Sequence, residues 1–238
     1  MSIYIPILVL FLAGLFGGAL SFLVPHNKQS WVQIVLSFTG AYLFAFVLLH
    51  MVPHAMETYG GHKAMLWFLL GFLIQFILQR YSHGLEHGHA HHHDHLPSKE
   101  WIIIALGLSL HALTEGLPLM DSKMSQPDFL GLIFGIAIHK LPEAFALACM
   151  LSHSVARKSF RWAWVLAFSA LTPLSIAFFH GIGLDHSVFL QVFFPLVAGS
   201  LLQIATSILY ESANKQHRLN LDRILPLVVG FLAAALVA

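Results

Sequence analysis

Residues 129–151 read FLGLIFGIAIHKLPEAFALACML, and this apolar run carries His139, Lys140 and Glu143 near its centre. About 20 apolar residues suffice for a helix to cross a bilayer. His139 and Glu143 are four residues apart, so their side chains lie one turn apart on the same face of that helix. Ionisable groups at membrane depth are unfavourable and are typical of substrate or ion pathways. The stretch therefore predicts a membrane helix with a functional polar face.

The segment HALTEGLP, residues 111–118, repeats this arrangement, because His111 and Glu115 are again one helical turn apart. Imidazole and carboxylate groups together suit a borderline divalent cation such as zinc. Pro118 and Pro142 lie close to the carboxylates, and each frees a backbone carbonyl, which favours a hydrated ion path. One such pair could be a clamp between helices, but two pairs favour metal binding. We therefore predict a metal site whose ligands are His111, Glu115, His139 and Glu143.

The composition is that of a membrane protein. Hydrophobic residues make up 58% of the 238-residue chain and charged residues only 10%, whereas soluble domains carry about 25% charged residues. The one cysteine, Cys149, excludes an intramolecular disulfide and a Cys-rich metal site, and no basic patch indicates nucleic-acid binding. We predict an all-α polytopic membrane protein, a single transmembrane domain over residues 1–238. Its eight expected spans are 4–24, 31–54, 64–81, 100–118, 129–151, 161–181, 188–210 and 222–238.

Basic residues set the expected orientation, because Lys and Arg are enriched in cytosolic loops. The loops after spans 1, 3, 5 and 7 carry nine basic residues, and the opposite side carries only Lys63 and Lys123. We therefore expect a cell-membrane protein with both termini outside and the loop at residues 82–98 in the cytosol. The nine basic residues are Lys28, Arg80, Lys99, Arg157, Lys158, Arg161, Lys215, Arg218 and Arg223.

The loop at residues 82–98 is rich in histidine. Such a tract favours loose, exchangeable metal binding and does not require a fold. We expect it to capture or sense cytosolic metal, and the alternative is a merely solvated loop. Its histidines are His83, His87, His89, His91, His92, His93 and His95.

Three further stretches place polar residues within apolar runs: LLHMVPHAME at 48–57, FSALTPL at 168–174 and VAGSLLQIATSILYES at 197–212. Together with HALTEGLP and HKLPEAFAL (139–147), they resemble the ZIP (Zrt/Irt-like) family of divalent-metal transporters, in its prokaryotic type. The fourth and fifth helices of that family carry the motifs HNxPEG and HxxPE. The resemblance covers nearly the whole chain. It implies a 3+2+3 bundle in which helices 1–3 and 6–8 form an inverted repeat around helices 4 and 5.

The chain departs from the family pattern at three positions. Many members hold two metals, and the resemblance places Ala112, Lys140 and Thr172 where those members have polar or acidic residues. Ala112 has no donor group, and Lys140 brings a positive charge where a second cation would lie. We therefore predict a single transport metal. Lys140 is expected to pair with Glu115 and Glu143 and to stand in for the second cation; the alternative is that it snorkels to an interface.

Two further polar sets are candidate accessory metal sites. His50 and His54 lie one turn apart near the outer end of span 2. They could form an entry site or be ordinary interfacial histidines. Gln203, Ser207 and Glu211 form a polar line along span 7, which could line the path or join two helices by hydrogen bonds.

Together these expectations predict transport of a divalent metal, with Zn²⁺ favoured, into the cytosol by alternating access. The metal is the transported substrate, so we expect no prosthetic group and no enzyme activity. Fe²⁺, Mn²⁺ and Cd²⁺ are also compatible with His and Glu ligands. The alternatives are an intramembrane metalloenzyme, against which the missing HExxH signature counts, and a metal-sensing membrane protein. The expected partners are metal ions and the lipid bilayer, and the oligomeric state stays open between a monomer and a homodimer.

Overall fold

The computed structural model describes residues 3–23, 30–82, 100–155, 157–181, 186–214 and 221–237, and these residues form eight helices. Six are uninterrupted: α1 Tyr4–Leu23, α3 Gly61–Ser82, α5 Gln126–Ser154, α6 Lys158–Gly181, α7 His186–Asn214 and α8 Leu221–Ala235. Helix α2 consists of Ser30–Phe46, a π-helical turn at Val47–Met51, and Val52–Tyr59. Helix α4 is Glu100–Thr114, and a 3₁₀ turn at Leu117–Met120 follows it. The histidines of the 82–98 loop lie outside the described residues.

Seven of these helices are long and apolar enough to cross a membrane. The apolar part of α8, Ile224–Ala235, is shorter. The predicted all-α polytopic membrane fold is therefore confirmed, and each helix corresponds to one predicted span. The inverted repeat stays a prediction.

Most helices end within a few residues of the predicted positions, and two of the differences, in α2 and α4, are the most informative. Helix α2 continues to Tyr59, whereas span 2 was predicted to end at residue 54. Helix α4 ends at Thr114, although the backbone N–H of Glu115 still donates to the carbonyl of His111 at 3.1 Å. Pro118 lies at the start of the 3₁₀ turn, where the backbone N–H that proline lacks would have no helical hydrogen bond to make. Pro118 thus follows the end of a helix, whereas Pro142 lies inside α5.

Helix packing divides the bundle into two groups. Helix α1 packs mainly against α5 and α6, and α4 also packs against α6. Helix α2 packs mainly against α7 and α8, and α3 packs against α7. We term α1, α4, α5 and α6 the first helix group and α2, α3, α7 and α8 the second helix group. The two groups meet chiefly where α2 contacts α5 and where α3 contacts α4.

Two glycines allow close contact between α3 and α7 within the second helix group. A Cβ on Gly71 would lie 1.9 Å from the carbonyl oxygen of Leu196. A Cβ on Gly199 would lie 1.9 Å from the carbonyl oxygen of Phe68. Neither position has room for a side chain. The two glycines therefore let the backbones of α3 and α7 come into close contact, as small residues do between membrane helices.

Candidate metal site

The ionisable residues of the two His–Glu motifs lie together in the interior of the bundle. His111 is in the last turn of α4, and Glu115 follows that turn. His139, Lys140 and Glu143 lie in the middle of α5. Each of the five is at most 1% exposed. The site is therefore closed off from the surface of the bundle.

Three of these side chains form a group that could hold a metal ion. One ligand atom each from His111, His139 and Glu143 lies within 4.8 Å of the other two. The two imidazole rings are 6.1 Å apart between centroids and meet edge to face. Tetrahedral zinc has bonds of about 2.0–2.2 Å to nitrogen and oxygen, so small rotations of these side chains suffice to bring them around one ion. We term these three residues the metal group.

Glu115, which the sequence also predicted as a ligand, is not part of the metal group. Its Oε1 forms an ion pair with Lys140 Nζ and accepts a hydrogen bond of 2.6 Å from Thr172 Oγ1. Its Oε2 lies 3.5 Å from Nε2 of His111. Glu115 is therefore next to the metal group but is held by Lys140 and Thr172.

Lys140 places a positive charge between the two carboxylates. Its Nζ contacts Glu115 and lies 3.4 Å from Oε2 of Glu143. The side chain is fully buried, and a buried ammonium is tolerated only when carboxylates or other acceptors compensate it. Two carboxylates and one ammonium leave the site with one net negative charge when both histidines are neutral. Such a charge suits one divalent cation better than two.

Helix α6 adds two side chains on one face of the site. Phe168 lies with its ring centroid 4.7 Å from Nζ of Lys140. Thr172, one turn further on, donates its single hydroxyl proton to Glu115, and its Oγ1 also lies 2.7 Å from the carbonyl oxygen of Ala112. The sequence pattern indicated Thr172 only as a missing ligand and did not single out Phe168. Their i, i+4 spacing just before Pro173 puts both side chains on one face of α6, and this was the sequence feature that could have indicated a shared role.

The candidate accessory histidines of α2 are bonded to aspartates, apart from the metal group. His50 Nδ1 lies 2.7 Å from Oδ1 of Asp128, and its Nε2 lies 3.0 Å from the carbonyl oxygen of Ala234. Both partners are acceptors here, so both bonds form together only when each ring nitrogen carries a proton. His54 Nε2 lies 2.7 Å from Oδ2 of Asp121. These bonds join α2 to the start of α5 and to the turn before it.

Asp121 is the most enclosed member of this second cluster and lies outside the membrane spans. It is 2% exposed, and its carboxylate accepts hydrogen bonds from Tyr59 Oη at 2.5 Å and from the backbone N–H of Lys123 at 2.9 Å. Burial by itself raises the pKa of Asp121, but the hydrogen bonds from His54 and Tyr59 outweigh it. The pKa of this carboxyl therefore lies below its usual range.

This lowered pKa predicts a loss of stability in acid. A carboxyl whose pKa is lower in the folded state stabilises the protein above its unfolded pKa, about 3.9. That stabilisation is lost as the pH falls through the folded pKa. We expect the melting temperature of the purified protein to fall over this range, and to fall less for Asp121→Asn.

The Tyr59 hydroxyl is the neighbour of this carboxylate, and Tyr59→Phe should lower the free energy of unfolding by about 1–3 kcal/mol at neutral pH. The matched control is Glu57→Gln, because Glu57 is an exposed carboxylate on α2, the helix that carries Tyr59. An acid profile of Asp121→Asn identical to that of the unchanged protein would contradict this role.

The polar line of α7 faces α3 instead of the metal group. Gln203 Nε2 donates to Oε1 of Gln79 at 2.5 Å, and Ser207 Oγ donates to the same oxygen at 3.1 Å. Ser200 Oγ donates to Oε1 of Gln75 at 3.0 Å. Gln203 and Ser207 therefore join two helices of the second helix group, which was one of the two interpretations of this line. Glu211 lies two turns beyond Gln203 and is partly buried.

Comparison with known proteins yields one family. A family model described as ZIP Zinc transporter matches residues 100–238. This match covers more than half of the chain, from the first residue of α4 onwards, and includes all three residues of the metal group. No curated protein matches the chain.

Proposed function

Because the chain belongs to the ZIP zinc transporter family, we propose that it carries Zn²⁺ across the membrane into the cytosol. The protein is a multi-pass membrane protein of a family that transports divalent metal. The proposal that the transported ion is Zn²⁺ is supported most by the buried metal group. Its ligand atoms from His111, His139 and Glu143 lie within 4.8 Å of one another. Two imidazoles and a carboxylate are a ligand set that zinc commonly takes in proteins.

The charges around the metal group support the binding of one ion at a time. Lys140 contacts Glu115 more closely than Glu143, and Glu143 is the carboxylate that belongs to the metal group. A second cation in the site would lie next to the ammonium in a medium of low dielectric constant, where like charges repel strongly. Glu115 acts as the fourth ligand through Oε2, which lies 3.5 Å from Nε2 of His111, while its Oε1 remains with Lys140.

The division of the bundle supports transport by alternating access. The metal group lies entirely on α4 and α5, which belong to the first helix group. Movement of this group against the second would expose the same site to either side of the membrane in turn, which is how carriers built from inverted repeats work. The excess of basic residues in the loops after spans 1, 3, 5 and 7 supports an outside location for both termini. Zinc would then bind from outside and leave towards the cytosol.

Uptake into proteoliposomes tests this function. The purified protein is reconstituted into vesicles that contain a zinc-sensitive dye, and Zn²⁺ is added outside. We expect protein-dependent, saturable uptake, because the buried site binds one ion per cycle. Competition by Fe²⁺, Mn²⁺ and Cd²⁺ then ranks the metals, since His and Glu ligands alone do not separate them.

Two controls make the outcome specific. Protein-free vesicles report leakage of the ion. A variant lacking residues 83–95 should retain uptake, because the His-rich tract is expected to capture or sense metal and not to carry it. Absence of flux for every metal in the intact protein would refute the proposal. Flux that depends on residues 83–95 would refute the assignment of transport to the buried site.

A further inference from the structure

We infer that Phe168 and Thr172 of α6 position the Lys140–Glu115 pair and thereby set the affinity of the metal group. Neither residue belongs to that group, so each acts on the metal through another side chain. The inference rests on the proposed function of His111, His139 and Glu143 as the transport site. It explains why Lys140 lies closer to one carboxylate than to the other.

Phe168 attracts the ammonium of Lys140 through its ring face. The Nζ atom lies 4.7 Å from the ring centroid, within the distance of about 6 Å at which a cation interacts with the ring quadrupole. Phe168 and Lys140 are both at most 1% exposed, so water does not screen this attraction. The ring packs among buried apolar side chains of α4 and α5, including Leu108, Ala112 and Ala144. This packing fixes the place where the ammonium is most stable.

Thr172 holds the carboxylate partner in the same place. Its Oγ1 lies 2.6 Å from Oε1 of Glu115 and 2.7 Å from the carbonyl oxygen of Ala112. The hydroxyl has one proton for these two acceptors, and the charged carboxylate is the stronger one, so the hydroxyl ties Glu115 to α6. Lys140 contacts this same Oε1 atom. Phe168 and Thr172, one turn apart on α6, thus hold the two members of the pair against each other.

The consequence falls on Glu143, the carboxylate of the metal group. Lys140 has Glu143 as its second partner, with Nζ 3.4 Å from Oε2. Without the ring of Phe168 or the hydroxyl of Thr172, the ammonium would move towards Glu143. It would then compete with the metal for the same oxygen atoms. The expected effect is weaker metal binding and a higher KM, with little change in the maximal rate.

Substitutions that remove only the interacting group test this inference. Phe168→Leu removes the ring and Thr172→Val removes the hydroxyl, while Phe168→Tyr and Thr172→Ser retain them. In the full-length protein, we expect the first two to raise the Kd for Zn²⁺ in calorimetry, and the KM of uptake, by about tenfold. The two conservative variants should stay within about twofold of the unchanged protein. The His-rich loop is the same in all of them, so its zinc binding does not affect the comparison.

A second background separates positioning from packing. In Lys140→Met there is no ammonium to position, so Phe168→Leu should no longer change the Kd for Zn²⁺. The same loss of affinity in both backgrounds would overturn the inference, and so would an unchanged Kd with Lys140 present. The binding measurement does not depend on transport. Absence of uptake by the intact protein would therefore refute the proposed function alone.

Discussion

Glu143→Gln is expected to abolish zinc uptake. The amide has nearly the shape of the native side chain but carries no charge, and Glu143 is the carboxylate of the metal group. Loss of a residue that merely supports a metal ligand costs about 10–100-fold in affinity, so loss of a charged ligand should cost at least about a hundredfold. Uptake in proteoliposomes and the Kd for Zn²⁺ in detergent measure the effect. Both should change, because the group that binds the ion is the group that carries it.

The control for Glu143→Gln is Glu57→Gln, because Glu57 is an exposed carboxylate at the end of α2. Glu57→Gln should bind and transport zinc as the unchanged protein does. Size-exclusion chromatography shows whether each variant is folded. Substantial zinc uptake by a folded Glu143→Gln protein would rule out the metal group as the transport site.

The membrane fold could be predicted from the sequence because its determinants are local. Each span is a run of apolar residues, and length and hydropathy alone identify it. The residues at which helices end depend on more than apolar length and hydropathy. Pro118 predicted an opened backbone inside span 4, but the chain leaves the helix at Thr114 and uses the proline in a 3₁₀ turn. A proline is compatible both with a break inside a helix and with the first turn of a new helical segment, so only the folded chain selects between them.

The candidate site could be predicted only as far as helical periodicity reaches. The i, i+4 spacing placed His111 with Glu115 and His139 with Glu143, but it did not give the rotation of α4 against α5. That rotation brings His111 to His139 and leaves Glu115 with Lys140. The partners of the outer histidines were missed for a related reason. Asp121 and Asp128 are far from α2 in sequence and lie in and just after a polar turn, where carboxylates are ordinary.

The sequence did indicate what Lys140 would do, because a buried lysine needs a counter-charge. Its position next to His139 in the motif HKLPE puts the ammonium within reach of Glu143, three residues later on the same helix. In the structure Lys140 also contacts Glu115 of α4, the second partner expected from the sequence, and the ring of Phe168 from α6 is the new element. Lys140 is thus a buried cation between two carboxylates, which is the arrangement expected if it stands in for a second metal.

Lys140→Met is accordingly expected to destabilise the metal-free protein and to increase the number of zinc ions bound. Removal of one partner from a buried ion pair costs about 3–5 kcal/mol, because the other charge is left uncompensated. Here Glu115 and Glu143 would both lose their cation. Zn²⁺ should restore most of this stability, since it supplies the missing positive charge. Thermal unfolding with and without Zn²⁺ measures the first effect, and calorimetric stoichiometry measures the second.

The number of bound ions is the sharper part of this prediction. If Lys140 stands in for a second cation, Lys140→Met should bind one more zinc per chain than the unchanged protein, with Glu115 and Glu143 as ligands. Lys63→Met, at an exposed lysine on α3, should change neither stability nor stoichiometry. The His-rich loop contributes equally to all three proteins, so the difference between them reports the buried site. An unchanged stoichiometry together with an unchanged melting temperature would show that the ammonium does not replace a metal. A second ion would then be excluded only by the absence of a ligand at Ala112 and of a carboxylate at Thr172.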